Sequence, residues 1–267
     1  MEAIVEVERL RKAFGEHVAV KGVSFTIAAG EVFGLLGPNG AGKTTIVRML
    51  TTLLPPDDGR AAICGCDARR QAARVRRCIG YVPQALSADG SLTGYENMLI
   101  FAKLLGLQKA ERERRIAEML HFMQLDDAAD RLVRHYSGGM VRRLEISQAV
   151  LHYPRVLFLD EPTVGLDPVA RRGVWEKLEE LRRTYRMAIL LTTHYMEEAD
   201  TVCNRVGILN HGAMVAVGTP RELKEKIGAP DASMDDVFAY FTGNRLEAEG
   251  GNYRELKQVR RTSRRLG

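Results

Sequence analysis

The sequence predicts an α/β domain: a core of buried parallel strands, a helical insertion within it and a short C-terminal extension. Three observations carry this. Short, almost wholly apolar runs at 32–36, 156–159 and 188–191 are what a strand covered on both faces displays. The first run leads through glycines into a helical segment at 44–50, the order a phosphate-binding turn requires. From about residue 90 to 153 the apolar spacing changes to that of helices.

Taken in order, residues 1–33 read as β-rich. Ile4, Val5 and Val7 lead in, and Val18, Val20, Val23, Phe25 and Ile27 partly alternate with polar neighbours until Gly30 breaks the pattern. In the helical stretch, Ile116, Met119, Leu120 and Met123 form a stripe at i, i+3, i+4 and i+7, which we read as core filling. Residues 97–105 are apolar enough for a packed helix or one that docks a partner. After Pro154 strands and helices alternate again. The helix before 188 carries Val174, Leu178 and Leu181 on one side and a solvated Glu179/Arg183 pair on the other. Met234, Val237, Phe238 and Phe241 mark a last amphipathic helix.

Composition narrows the class. Hydrophobic residues at 45% and charged residues at 27% of 267 exclude a disordered or fibrous chain, and no apolar run approaches the ~18 residues of a spanning helix. The acidic, alternating start is unlike a signal or transit peptide. The net charge of +5 resides in residues 250–267, where Arg254, Lys257, Arg260, Arg261, Arg264 and Arg265 face Glu255 alone; the rest of the chain is neutral. A neutral body argues against sequence-specific nucleic-acid binding, and the tail reads as a solvated terminus. Cys64, Cys66, Cys78 and Cys203 match neither a zinc nor a disulfide pattern and read as reduced thiols.

The chemistry begins at Gly37-Pro38-Asn39-Gly40-Ala41-Gly42-Lys43-Thr44, which satisfies G-x-x-x-x-G-K-[ST]. Glycines let successive N–H groups curl around one anion, and the positive end of the following helix adds to the field. Lys43 offers a mobile charge to β- and γ-phosphates, and Thr44 a hydroxyl to Mg²⁺. The complementary half is an acidic strand end. Asp160 follows the run at 156–159, placed to hold Mg²⁺ through water, and Glu161 stands where a water could be oriented for attack on the γ-phosphate.

The remaining motifs resemble one family, the ATP-binding cassette ATPases of ABC transporters, over roughly residues 4–220. Tyr136-Ser137-Gly138-Gly139-Met140 resembles the signature motif, commonly LSGGQ, with Met140 in place of the usual glutamine. Gln84 in Gly80-Tyr81-Val82-Pro83-Gln84 is similar to the Q-loop, Gly165-Leu166-Asp167-Pro168 to the D-loop, and His194 in Thr192-Thr193-His194 to the switch histidine. Phe14 stands where the family stacks an aromatic on adenine. The resemblance implies a P-loop NTPase core with an N-terminal antiparallel β subdomain. It implies an ATPase domain over 1–220, a helical subdomain at about 86–153, and an extension over 221–267.

It also implies ATP and Mg²⁺ as ligands. Residues 37–45, through Thr45, would contact the nucleotide, and Thr44, Gln84 and Asp160 the metal. Two cassettes would face head to tail, each ATP lying between one phosphate loop and the other subunit's Ser137, Gly138 and Gly139. In that arrangement Glu161 is the general base, His194 a γ-phosphate contact and Asp167 a cross-subunit link. The helical insertion and Gln84 would transmit closure to a membrane permease, placing the chain peripherally on the cytoplasmic face of the membrane. Tyr136–Arg143, residues 191–200 and the ending Asp235-Asp236-Val237-Phe238 look like the drug-exporter type that serves ABC-2 permeases, as daunorubicin-resistance and nodulation exporters do. An importer ATPase is the first alternative. A soluble cassette acting on nucleic acid fits less well, since 53 positions from Gln84 to Ser137 leave no room for a coiled-coil arm. An inactive cassette is disfavoured by intact Lys43, Asp160, Glu161 and His194.

Overall fold

A computed structural model describes residues 3–243; the basic run at 250–267 lies outside the described residues. Strands β1 (Ala3–Phe14) and β2 (His17–Ala28) form a long hairpin. Strand β3 (Val32–Leu36) is buried throughout and feeds the phosphate loop and helix α1 (Lys43–Leu50). Strands β4 (Asp58–Ile63) and β5 (Cys66–Asp67) then return to the hairpin, giving an antiparallel sheet of order β2-β1-β4-β5. Half of this sheet's strands therefore come from beyond the phosphate loop, where the sequence pattern marks no strand at β4 or β5.

Helix α2 (Ala72–Cys78) leads into strand β6 (Ile79–Val82). Between β6 and strand β7 (Val156–Asp160) lie α3 (Gly94–Leu104), α4 (Lys109–Phe122) and α5 (Gly138–Val150). Helix α3 opens on a capping box, Thr93 with Glu96, which fixes its start three residues before the apolar run. Its Met98 and Ala102 are buried, while Ile100, Phe101, Leu104 and Leu105 are exposed, so one helix both packs and presents an open apolar face. Ile116, Met119, Leu120 and Met123 are all buried, as their stripe predicts. Helix α6 (Pro168–Tyr185), strand β8 (Ala188–Thr193) and helix α7 (Met196–Val202) follow. Strands β9 (Arg205–Asn210) and β10 (Ala213–Gly218), which the sequence pattern does not reveal, extend the second sheet, and α8 (Pro220–Lys226) and α9 (Met234–Thr242) close the described chain.

The second sheet runs β10-β9-β3-β8-β7-β6 and is parallel except for the β10 edge. Because successive residues of a strand point to opposite faces, it divides the interior in two. Leu157, Leu159, Ile189 and Leu191 pack toward the helices, whereas Val156, Phe158, Ala188 and Leu190 pack toward α1 and the antiparallel sheet. Parallel strands also end on one rim. The carboxyl ends of β3, β6, β7 and β8 thus deliver the phosphate loop, Gln84, Asp160-Glu161 and His194 to the same edge, where open α/β sheets bind ligands.

One local expectation changes. Glu179 is bridged by Arg182 as well as Arg183, and Arg182 also donates to the Gly30 carbonyl at 2.7 Å. The Arg182 guanidinium holds the Glu179 carboxyl down to about 2, so this cluster ties α6 to the turn before β3 rather than forming a merely solvated pair. The cysteines are free: Cys64, Cys66 and Cys78 are half-buried, and burial pushes the Cys203 thiol up. Among the described residues no helix is long and apolar enough to cross a membrane.

Candidate functional site

The phosphate loop is held open by its backbone. Gly42 has φ 101°, and a Cβ there would meet the Ala19 carbonyl at 2.5 Å, so a side chain is excluded by both conformation and space. Gly42 also caps α1 without a side-chain acceptor, leaving the first N–H groups of an eight-residue helix facing the loop. Lys43 is buried beneath it. Its Nζ donates to Gly37 O at 2.7 Å and Pro38 O at 3.2 Å, and lies 3.4 Å from Glu161 Oε1. The ammonium is therefore the centre around which the loop is wound.

The end of β7 supplies the acids. Asp160 Oδ1 accepts from Thr44 Oγ1 at 3.1 Å and from Thr192 Oγ1 at 2.6 Å. Burial raises the Tyr81 phenol, and the Asp160 charge adds to it, so this β6 neighbour stays protonated beside the carboxylate. Glu161 adopts φ 49°, a left-handed conformation that costs a residue with a Cβ about 1 kcal/mol. Its N–H donates to Thr192 Oγ1 at 2.9 Å, which pins the turn. The bend aims the carboxylate back under the phosphate loop. There Oε2 accepts from Gln84 Nε2 at 3.2 Å and lies 3.4 Å from His194 Nδ1. Lys43, Gln84 and His194, drawn from three other strand ends, thus converge on one carboxylate.

Ser137 and Asp167 make only local hydrogen bonds. Ser137 caps α5, its Oγ accepting from Met140 N at 3.3 Å, and no hydrogen bond or ion pair among the described residues joins it to the phosphate loop. Gly138 lies against Leu166, and a Cβ on Gly139 would meet the Ala170 Cβ at 2.9 Å, so α5 and α6 can pack this closely only with glycine there. Asp167 serves its own helix: its Oδ1 accepts from Val169 N and Ala170 N, both at 2.9 Å, and caps α6. Phe14 sits at the tip of the β1–β2 hairpin with about half its surface exposed (51%), leaving a ring face free to stack. Pro38, Asn39, Gly40 and Ala41 form the loop itself, and Thr45 is half-buried on α1.

Sequence reasoning misses two residues here. Thr192 stands in the sequence only as a neighbour of His194, yet it holds Asp160 through its hydroxyl hydrogen and Glu161 through its oxygen. Glu198 is the second. Its buried carboxylate accepts from Thr163 Oγ1, from Thr193 Oγ1 at 2.8 Å and from Trp175 Nε1 at 3.2 Å, and stands 3.8 Å from Arg171 Nε. It joins the segment after Glu161 to the residue before His194. Glu198→Ala is expected to leave three donors unpaired and destabilise the fold by about 2–4 kcal/mol. Chemical denaturation measures this, and a loss under about 0.5 kcal/mol would show that the network is ornamental.

Thr44 and Asp160 offer a hydroxyl and a carboxylate oxygen side by side, with the Gln84 amide across the rim: hard oxygen donors suited to Mg²⁺. No cluster of three His, Cys, Asp or Glu side chains that could hold a metal occurs among the described residues.

Comparison with known proteins agrees with this geometry. The profile of the family described as ABC transporter matches residues 20–164. The linearmycin resistance ATP-binding protein LnrL of Bacillus subtilis is 40% identical over 225 residues, covering 84% of this chain and 72% of that protein. The Nod factor export ATP-binding protein I of Sinorhizobium fredii is 42% identical over 259 residues, 97% of this chain and 71% of that one. Among solved structures, the ATP-binding subunit of an ABC transporter superposes with a TM-score of 0.80 at 30% identity, covering 90% of this chain and 99% of its own.

Proposed function

This chain belongs to the ABC transporter ATP-binding family, and from that premise we propose that it works as one half of a head-to-tail cassette pair driving an ABC-2 type exporter. It is an ATPase whose hydrolysis powers export. The observation that carries the site reading is the convergence of Lys43, Gln84 and His194 on the Glu161 carboxylate, directly under a loop of backbone N–H groups.

In this reading the loop amides and Lys43 bind the triphosphate, Lys43 exchanging the Gly37 and Pro38 carbonyls for phosphate oxygens. Phe14 stacks on the adenine. Thr44 and Asp160, with Gln84, hold a magnesium ion, which when bound neutralises charge on the β- and γ-phosphate oxygens. Glu161 accepts a proton from the attacking water. His194 contacts the γ-phosphate and orients that water between its ring and Glu161.

Ser137, Gly138 and Gly139 present a hydroxyl and the N-terminus of a thirteen-residue helix, an anion site that no hydrogen bond among the described residues joins to this chain's own loop. Such a site is useful when a second copy brings its nucleotide to it. Leu86, two residues after Gln84, and Ile100, Phe101 and Leu104 on α3 are exposed, and we assign these apolar side chains to contact with the permease. The subunit is then peripheral to the membrane, held there by its partner.

Mixing two severely impaired variants tests the pairing. Lys43→Ala and Ser137→Ala subunits are each expected to lose all but a residual turnover, yet a one-to-one mixture should regain about a quarter of wild-type activity. Half of the dimers then carry one intact composite site. Absence of recovery on mixing removes the head-to-tail reading, and absence of ATP hydrolysis by the native protein removes the functional assignment itself.

A further inference from the structure

The signature helix carries a buried ion pair that the reaction does not use. One turn into α5, Arg142 and Glu145 point inward with side chains 3% and 1% exposed and stand 3.0 Å apart. Both reach the segment after β6. Arg142 donates from Nη1 to Pro83 O at 2.9 Å and from Nη2 to Gln84 O at 3.0 Å. Glu145 Oε1 accepts from the Ser87 N–H, from Ser87 Oγ at 3.1 Å and from Ala88 N at 3.4 Å. The loop is thus clamped at both ends by residues five and eight positions beyond Ser137.

Burying two charges rarely improves stability over a well-packed apolar pair, because desolvation offsets their attraction. What such a pair supplies is geometry: a planar guanidinium fork on two consecutive carbonyls fixes both distance and orientation. The clamped loop touches this chain's own site through the Gln84–Glu161 hydrogen bond. The helix that clamps it begins at the serine assigned to the opposite site.

We propose that Arg142 and Glu145 are positioning residues that fasten the Gln84 loop to the helix beginning at Ser137, so that occupancy of one nucleotide site sets the placement of the group that completes the other. The proposal rests on the head-to-tail reading above. It assigns the pair no contact with nucleotide.

A double-mutant cycle reads this link. In the native chain, Gln84→Ala already severs the loop from Glu161, so Ser137→Ala should cost less in that background than alone. The expected coupling is about tenfold in kcat, about 1.4 kcal/mol. In Arg142→Met/Glu145→Leu, which removes both charges together, the coupling should shrink to within about twofold while the KM for ATP changes little. Glu145→Gln keeps the acceptor for Ser87 and Ala88 and should retain the coupling, a rescue that a purely structural role does not predict. Should the double variant fail to fold, Arg142→Gln, which removes the fork, carries the same cycle. Native-sized coupling in the variant that breaks the clamp, or none in the native chain, overturns the proposal. Recovery in the Lys43→Ala and Ser137→Ala mixture is the separate control: with it intact, a failed cycle condemns the clamp alone.

Discussion

Glu161→Gln is expected to reduce kcat by about 10²–10³-fold while ATP affinity stays within about threefold of native. The substitution is nearly isosteric. It keeps an oxygen that can accept from Gln84 Nε2 and removes only the basic oxygen and its charge. Loss of the base stops proton transfer from the attacking water, whereas the loop amides, Lys43 and Thr44 still hold the triphosphate. Removing a negative charge 3.4 Å from the Lys43 ammonium also leaves that cation freer to meet phosphate. ATP should therefore accumulate in closed pairs, visible as an ATP-dependent dimer by size-exclusion chromatography with light scattering. Steady-state turnover near the native rate would remove Glu161 from the role of base.

Lys43→Ala acts one step earlier. A buried ammonium paired with phosphate oxygens contributes about 3–5 kcal/mol when its partner is left behind, so nucleotide affinity should fall by at least about 10²-fold. The loss has two parts. Alanine cannot reach the phosphates, and it also abandons the Gly37 and Pro38 carbonyls around which the loop is wound. Lys43→Arg separates them poorly, because a rigid planar fork does not fit a site built for a point charge, and it should fail to restore binding. Titration with a fluorescent ATP analogue gives the affinity directly. The shift of the thermal midpoint with added ATP gives it independently, since a ligand that binds only the folded state stabilises by an amount set by its concentration over Kd. Unchanged affinity by both would contradict the placement of the triphosphate.

Much of this architecture is legible in the amino-acid order. The phosphate loop announces itself because every fixed position answers a local demand: φ above zero at Gly42, a mobile cation at Lys43, a hydroxyl at Thr44. The buried strands are readable from their apolar runs, and with them the acidic rim at Asp160 and Glu161. What stays hidden depends on contacts between distant segments, which leave no period in the sequence. Nothing in residues 58–63 says that they pair with β1 across the phosphate loop. Thr192 looks like a spacer before His194 because its two partners lie more than thirty positions away. Glu198 reads as one acid among several in a polar helix start, yet four neighbours bury it. Arg142 and Arg143 are visible in the sequence only as family markers; the inward direction of Arg142 is set by how α5 lies on the loop after β6. Asp167 shows the converse, since its D-P step is legible as a motif but equally describes a helix cap.

The left-handed bend at Glu161 has an evolutionary consequence. Glutamate is poorly suited to that backbone, and glycine or asparagine would occupy it with less strain. A lineage that ceased to need turnover would feel this bias at once. Drift toward either residue would relieve about 1 kcal/mol of strain but strip the buried Lys43 ammonium of its carboxylate, so a descendant that has become a passive scaffold should change at Lys43 together with Glu161 before the glycines of the loop begin to erode.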